Sequence, residues 1–255
     1  IYTSVKKEIK NRKILGVGIG VPGVVNTDSN RIELSNLLKI SDYPLGELLE
    51  KRLKIPVHIE NNANLAAYGE YTLNYASRTH NLFYLLFHLD ESNNLKNTGI
   101  GSGIIINGEI YHGDYYAAGE MGDIFNNILM SLSSEKESLF LSQSLLQLLK
   151  QSGSSEHSQL LLTLGFKIGE LISQVINIIN PSTVVIGDDQ FIGQTEFYKS
   201  IKEGIRDNLV SFIRDKIQIM ASGFGEYNVA IGAACISSKN ILSYEYFHDW
   251  MKLKK

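Results

Sequence analysis

Apolar positions recur at two periods along this chain, and the alternation between those periods marks out its elements. Ile1, Val5 and Ile9 repeat every fourth residue, which predicts an amphipathic helix over the first dozen positions. "KILGVGIGVPG" then turns to a short apolar strand, Ile14 to Ile19, broken by Gly20, Pro22 and Gly23. Residues 24–42 read as loop and short strand. "PLGELLEKRLK" puts Leu45, Leu48, Leu49 and Leu53 on one helical face, with Pro44 near the first turn. Ile55 to Ile59 predicts a strand, Ala63 to Asn74 a helix, and "NLFYLLFHL" a buried strand. "IIINGEIYHG" predicts a hairpin turning at Asn107-Gly108, a pair that tolerates the positive φ of a tight turn.

The second half continues the same way. Ser133 to Leu149 is a predicted helix and "QSGSSEHSQ" (151–159) a loop. Leu160 to Ile179 is apolar almost all round, so it should be a central buried helix, stopped by Asn180-Pro181. "TVVIG" is a strand, Phe197 to Arg214 a helix, "KIQIMASG" a strand and "NVAIGAACISS" a closing helix of small residues. Strand and helix in alternation imply α/β layers around a mostly buried sheet.

Composition narrows the function. At 255 residues the chain can bury one large core or two modest lobes. A net charge of −3 gives no basic field to attract nucleic acid or anionic lipid. Cys235 is the only cysteine, which excludes an intrachain disulfide and a cysteine-cluster metal site and fits a cytoplasmic protein. No unbroken apolar run approaches the roughly 18 residues of a membrane span.

The chemistry concentrates in "HIENNANLAAYGE" (58–70), where Asn61, Asn62 and Asn64 follow Glu60 at a strand-to-helix turn. Short amides and carboxylates pair well with hydroxyl groups, although Asn61 could equally be only a helix cap. Two glycine loops stand beside this turn, "GIGVPG" (18–23) and "NTGIGSG" (97–103). Gly99, Gly101 and Gly103 would let backbone N–H groups approach an anion, or would merely allow tight turns. Neither loop is a Walker A or dinucleotide fingerprint.

Four blocks taken in order are far more specific: "ILGVGIGVPGVVN", "IPVHIENNANLAAYGE", "TGIGSGIIINGEIYHGDYYAAGEMGD" and "NIINPSTVVIGDD". Together they resemble the ROK family of bacterial sugar kinases and sugar-responsive repressors, over about Ile14 to Ser237. The resemblance implies an actin-like, ribonuclease-H-like, two-lobed fold, with residues 1–95 in the N-terminal lobe and 96–255 in the C-terminal lobe. It implies a sugar site lined by Gly23, Ser35, Asn36, Asn61, Asn62 and Glu120, with Asp123 where the family has a His. Thr98, Gly99, Gly101, Gly103 and Gly187 would face a nucleotide if one binds.

Three departures from the family pattern bear on activity. Asn62 stands where the kinases carry the Asp that takes the proton from the sugar hydroxyl. An amide cannot accept that proton, and losing a positioned base costs about 10²–10⁴ in rate. Asp123 replaces a zinc-binding His, and the accompanying cysteines are missing from "DIFNNILMSLSSEKESL", so no structural zinc is expected; Glu135 and Glu137 are insecure counterparts of a following family Glu. The family's opening Asp-x-Gly-x-Thr hairpin is expected upstream of Ile1, and in a regulator a winged helix-turn-helix further upstream still. The resemblance therefore implies the sugar-binding effector domain of a regulator, without kinase activity, forming a homodimer, having no contact with a membrane and reaching operator DNA through that upstream module. The alternative is a degenerate or altered sugar kinase using ATP and Mg²⁺.

Overall fold

The computed structural model describes residues 14–88, 99–122, 124, 155–187 and 195–243. The helices predicted before Ile14 and over Ser133–Leu149 lie outside these residues, as do Thr98, Asp123, Glu135 and Glu137. Five strands of the first part are β1 (Val17–Val21), β2 (Val24–Asn26), β3 (Arg31–Ser35), β4 (Ile40–Tyr43) and β5 (Val57–Asn61), with helix α1 (Leu45–Leu53) before β5. β1 and β5 pair in parallel, Val17 opposite Val57 and Val21 opposite Asn61. The segment 24–42, expected to be loop and short strand, belongs to a three-stranded antiparallel sheet, β2-β3-β4. Val21, Val25, Ile32, Leu49, Leu53, Val57 and Ile59 close into one apolar cluster beneath α1.

Helix α2 (Asn62–Glu70) starts directly where β5 ends and continues as a π-helical turn, Tyr71–Tyr75. Residues Ala63 to Glu70 are all buried. Even the Glu70 carboxylate is enclosed, accepting hydrogen bonds from Ser222 Oγ, from Gly223 N at 2.7 Å and from Asn74 Nδ2 at 2.7 Å. A helix buried on every side belongs between layers, and α2 lies between the β1-β5 pair and the five-stranded sheet that follows.

The second sheet has the order β10-β9-β6-β7-β8, built from β6 (Leu82–His88), β7 (Gly99–Ile106), β8 (Glu109–Ile110), β9 (Thr183–Gly187) and β10 (Gln218–Ala221). β6 pairs antiparallel with β7 and parallel with β9, at the sheet's centre. A lobe division at residue 95 would separate β6 from this sheet; by strand pairing the change of sheet falls between β5 and β6.

Helices α3 (Ser155–Ile179) and α4 (Thr195–Asp207) cover one face of that sheet. α3 begins earlier than expected, so residues 155–159 are helix and not loop. Its Leu164, Ile168, Ile172 and Ile176 form a fully buried stripe at the helical repeat, each worth about 1.5–3 kcal/mol of transfer from water. The stretch Leu161–Ile179 has the length and mean hydropathy, 1.3, of a membrane span, but it is not the all-round buried central helix expected: one stripe packs on β6, β9 and α4, and Ile178 on another face is exposed. The single helix expected over Phe197–Arg214 is two, α4 and the short α5 (Ser211–Arg214). Asn177 on α3 fixes the break, donating to Asn208 O and accepting from Val210 N. On the sheet's other face Leu82, Tyr84, Ile105 and Val185 meet Ala66, Ala67 and Tyr68 of α2.

Helix α6 (Asn228–Leu242) crosses α2 at close range. A Cβ on Gly232 would fall 1.8 Å from Leu65 O, so only glycine permits the approach. The crossing fixes where α2 points, and its N-terminus is where the polar residues collect.

Candidate functional site

Asn61 is the N-cap of α2 and uses both ends of its amide. Oδ1 accepts from Ala63 N at 2.7 Å and Asn64 N at 3.1 Å, satisfying two of the free donors at the helix start. Nδ2 donates to Gly23 O at 2.9 Å and reaches Glu120 Oε1 at 3.4 Å. Cap and candidate ligand group are therefore one side chain. Gly23 follows β1 with φ +109, where a Cβ would lie 2.3 Å from Leu34 O. Its backbone carbonyl thus faces Asn61 from the β1–β2 turn.

Glu120 is brought in from the far sheet. Its backbone bridges to Gly101 of β7, Ser102 N donates to Gly119 O at 3.1 Å, and the preceding loop folds back with Ala118 N donating to His112 O at 3.1 Å. Glu120 keeps access to solvent, yet burial by its surroundings raises its pKa above the usual carboxylate value. A partly desolvated carboxylate that, among the described residues, holds one long hydrogen bond has acceptor capacity left for a hydroxyl-bearing ligand.

The other expected site residues are distributed unevenly. Asn62 is half-buried beside Asn61, its Oδ1 accepting from Ala63 N at 2.9 Å. Ser35 is buried next to Gly23, and its hydroxyl accepts from Leu38 N at 3.3 Å, stabilising the turn after β3. Asn36 is exposed in that turn. Among the described residues no hydrogen bond joins Ser35 or Asn36 to Asn61 or Glu120.

The glycines assigned to a nucleotide have a second explanation. Gly99, Gly101 and Gly103 are in strand β7 and not in a loop. A Cβ on Gly103 would sit 2.4 Å from Ala63 O and 2.5 Å from Ala67 Cβ, and one on Gly101 3.2 Å from Ala63 Cβ. They let β7 press against the first turns of α2. Gly187, at the end of β9, is filled by Tyr84, whose hydroxyl would be 1.8 Å from a Cβ there. Packing alone accounts for Gly103 and Gly187.

Residues that the sequence did not single out for a role surround the cap. Glu60 is buried and accepts from Asn61 N at 2.7 Å, Asn64 Nδ2 at 3.0 Å and His112 Nε2 at 2.7 Å. Tyr116 Oη donates to Asp28 Oδ2 at 2.6 Å. A period-two alternation in "VHIEN" does place Glu60 away from the Val57–Ile59 core, but nothing local names His112 as its partner.

The pairing order, with helices α3 and α4 on one face and α2 with α6 on the other, is that of the actin-like ATPases. A ROK hexokinase from Thermus thermophilus superimposes with a TM-score of 0.74 and 18% identity, over 94% of this chain and 85% of that one. A ROK family transcriptional regulator, a homolog of the E. coli MLC protein, superimposes with a TM-score of 0.72 and 18% identity, over 92% of this chain and 66% of its own. The ROK family model matches residues 2–134 and 126–240, and the chain belongs to the ROK family.

Relatives in sequence include repressors that match most of this chain. The xylose repressor of Caldicellulosiruptor bescii is 28% identical over 96% of this chain and 68% of its own length. The xylose repressor of Bacillus subtilis is 26% identical over 88% of this chain and 61% of its own. A glucokinase of Halalkalibacterium halodurans is 34% identical over 44% of this chain and 31% of its own. The chain thus spans about two thirds of the repressors it matches.

Proposed function

We propose that this chain is the sugar-binding effector domain of a ROK-type transcriptional regulator that does not phosphorylate its sugar. One observation carries the reading: Asn61 and Glu120, from separate sheets, converge at 3.4 Å beside Asn62, an amide at the position of the kinases' base. Acceptor and donor groups suited to hydroxyls are retained there, and a group able to take a proton at neutral pH is absent from position 62. Gly23, through its carbonyl, completes the cluster. The extent of the similarity supports the same reading, since the relatives named xylose repressor match 96% and 88% of the chain and the glucokinase 44%. In this reading operator DNA is bound by a module upstream, the protein is a cytoplasmic homodimer, and D-xylose is the first sugar to test.

Calorimetric titration with D-xylose, D-glucose and N-acetylglucosamine tests binding, and a coupled assay with ATP and Mg²⁺ tests transfer. Saturable binding of one sugar with no turnover is the expected result. Turnover near about 1 s⁻¹ or above, ordinary for a kinase, would overturn it.

A further inference from the structure

We infer that Glu60 and His112 form the positioning pair of this site, holding the turn that carries Asn61 and the loop that carries Glu120 at a fixed separation. The inference rests on the sugar-site reading and deepens it. Glu60 precedes Asn61, and its carboxylate accepts the Asn61 backbone N–H at 2.7 Å and the Asn64 amide at 3.0 Å. The same carboxylate accepts from His112 Nε2 at 2.7 Å, across 52 residues of sequence and between two sheets. His112 opens the loop that ends at Glu120, and it accepts from Ala118 N, so fixing the ring also fixes the loop's return.

Two further contacts tie down the same loop. Tyr116 donates to Asp28 from a backbone with φ +57, a conformation uncommon for an aromatic residue and sustained only by its surroundings. The His112 and Tyr116 rings stand 6.0 Å apart, so both tethers act on one short stretch. Among the described residues neither tether hydrogen-bonds the side chain of Asn61 or Glu120. They act on those side chains through the backbone.

The pair is charge-dependent. Burial disfavours the His112 cation, but the Glu60 hydrogen bond and charge, with Asp28 beyond, outweigh it and leave the pKa raised. Other charged or titratable groups facing this region are His58 of β5, Glu109 of β8 and Lys239 of α6, which line a cavity of about 280 Å³ with Glu60 and His112. Lys239 is paired with Glu109, and among the described residues His112 is the basic group in direct contact with Glu60, so protonated His112 balances its charge. A raised folded-state pKa means the pair is at full strength below the ordinary His value, about 6.5, and is lost as pH rises through the raised value.

The test compares the wild-type chain with His112→Gln and Glu60→Gln, free of sugar, by backbone hydrogen exchange at a series of pH values from about 6 to about 8.5, bracketing the ordinary His value. After correction for intrinsic rates, segments 57–66 and 111–121 of the wild type lose protection together, by about three- to ten-fold, as pH rises. His112→Gln removes that pH step, and Glu60→Gln moves it to lower pH. D-xylose affinity, measured by calorimetry on the same samples, follows the same step. A step that persists unchanged in His112→Gln, or that is confined to 111–121, overturns the inference. If no sugar binds at any pH the effector reading fails, and the exchange data still decide the pair.

Discussion

At the scale of single residues, Asn61 caps α2 through Oδ1 and turns Nδ2 to Gly23 and Glu120, so the proposed sugar site would join stability to recognition in one side chain. Asn61→Ala should remove the cap, at about 1 kcal/mol in urea denaturation, and also weaken the cognate sugar roughly ten-fold in calorimetry. Glu120→Ala should separate the two effects, lowering affinity to a similar extent with no loss of stability, because among the described residues its carboxylate makes no side-chain hydrogen bond besides the 3.4 Å contact. Equal affinity in Glu120→Ala and wild type would remove Glu120 from the site. Burial raises the Glu120 pKa, so the folded state favours its neutral form and any stability it lends is lost, not gained, as pH rises through that pKa. Sugar affinity that depends on the carboxylate should instead fall as pH drops through the same raised value. With His112 losing its proton on the alkaline side, affinity for D-xylose should pass through a maximum, and a flat profile across the acid limb would count against a charged Glu120 in recognition.

At the scale of elements, the glycine-rich strand is the informative case. "TGIGSG" reads as a loop because glycine is poor in strands, where it weakens the backbone and leaves nothing to pack. Here α2 comes so near that β7 has no room for side chains at Gly103. Gly103→Ala should therefore cost about 1–3 kcal/mol by overpacking, and Gly101→Ala clearly less, since its nearest neighbour is the Ala63 methyl at 3.2 Å. Thermal or urea denaturation of the two variants checks the order; equal tolerance of both would mean that packing does not explain Gly103. Likewise the break between α4 and α5 was hidden in a continuous amphipathic pattern, because the residue that makes it, Asn177, comes from another helix.

At the scale of the molecule, the family places a structural zinc in a segment that here contains no cysteine, with Asp123 in place of its His. Elemental analysis of chain purified without chelator should find no stoichiometric zinc, and about one ion per chain would show that other ligands have replaced the thiolates. The sequence by itself determined most of the strands and helices outside residues 24–42, the apolar stripe of α3 and the motif blocks, because periodicity and turn chemistry act over a few neighbouring residues; that α3 covers a sheet with one face and leaves Ile178 exposed was not legible in its composition. It also carried Asn61 and Glu120 as candidates, through block order and residue type. What only the tertiary structure decided are relations across distance: that β6 is central to the second sheet, that Asn61 meets Glu120 over 59 residues, and that Glu60 is held by His112 over 52. Such pairings depend on how α2 is seated between two sheets and crossed by α6, and that seating is set by close contacts of Gly103 and Gly232 with backbone far away in the chain. Local pattern records which residues are apolar or small; it holds no record of which distant backbone they will meet.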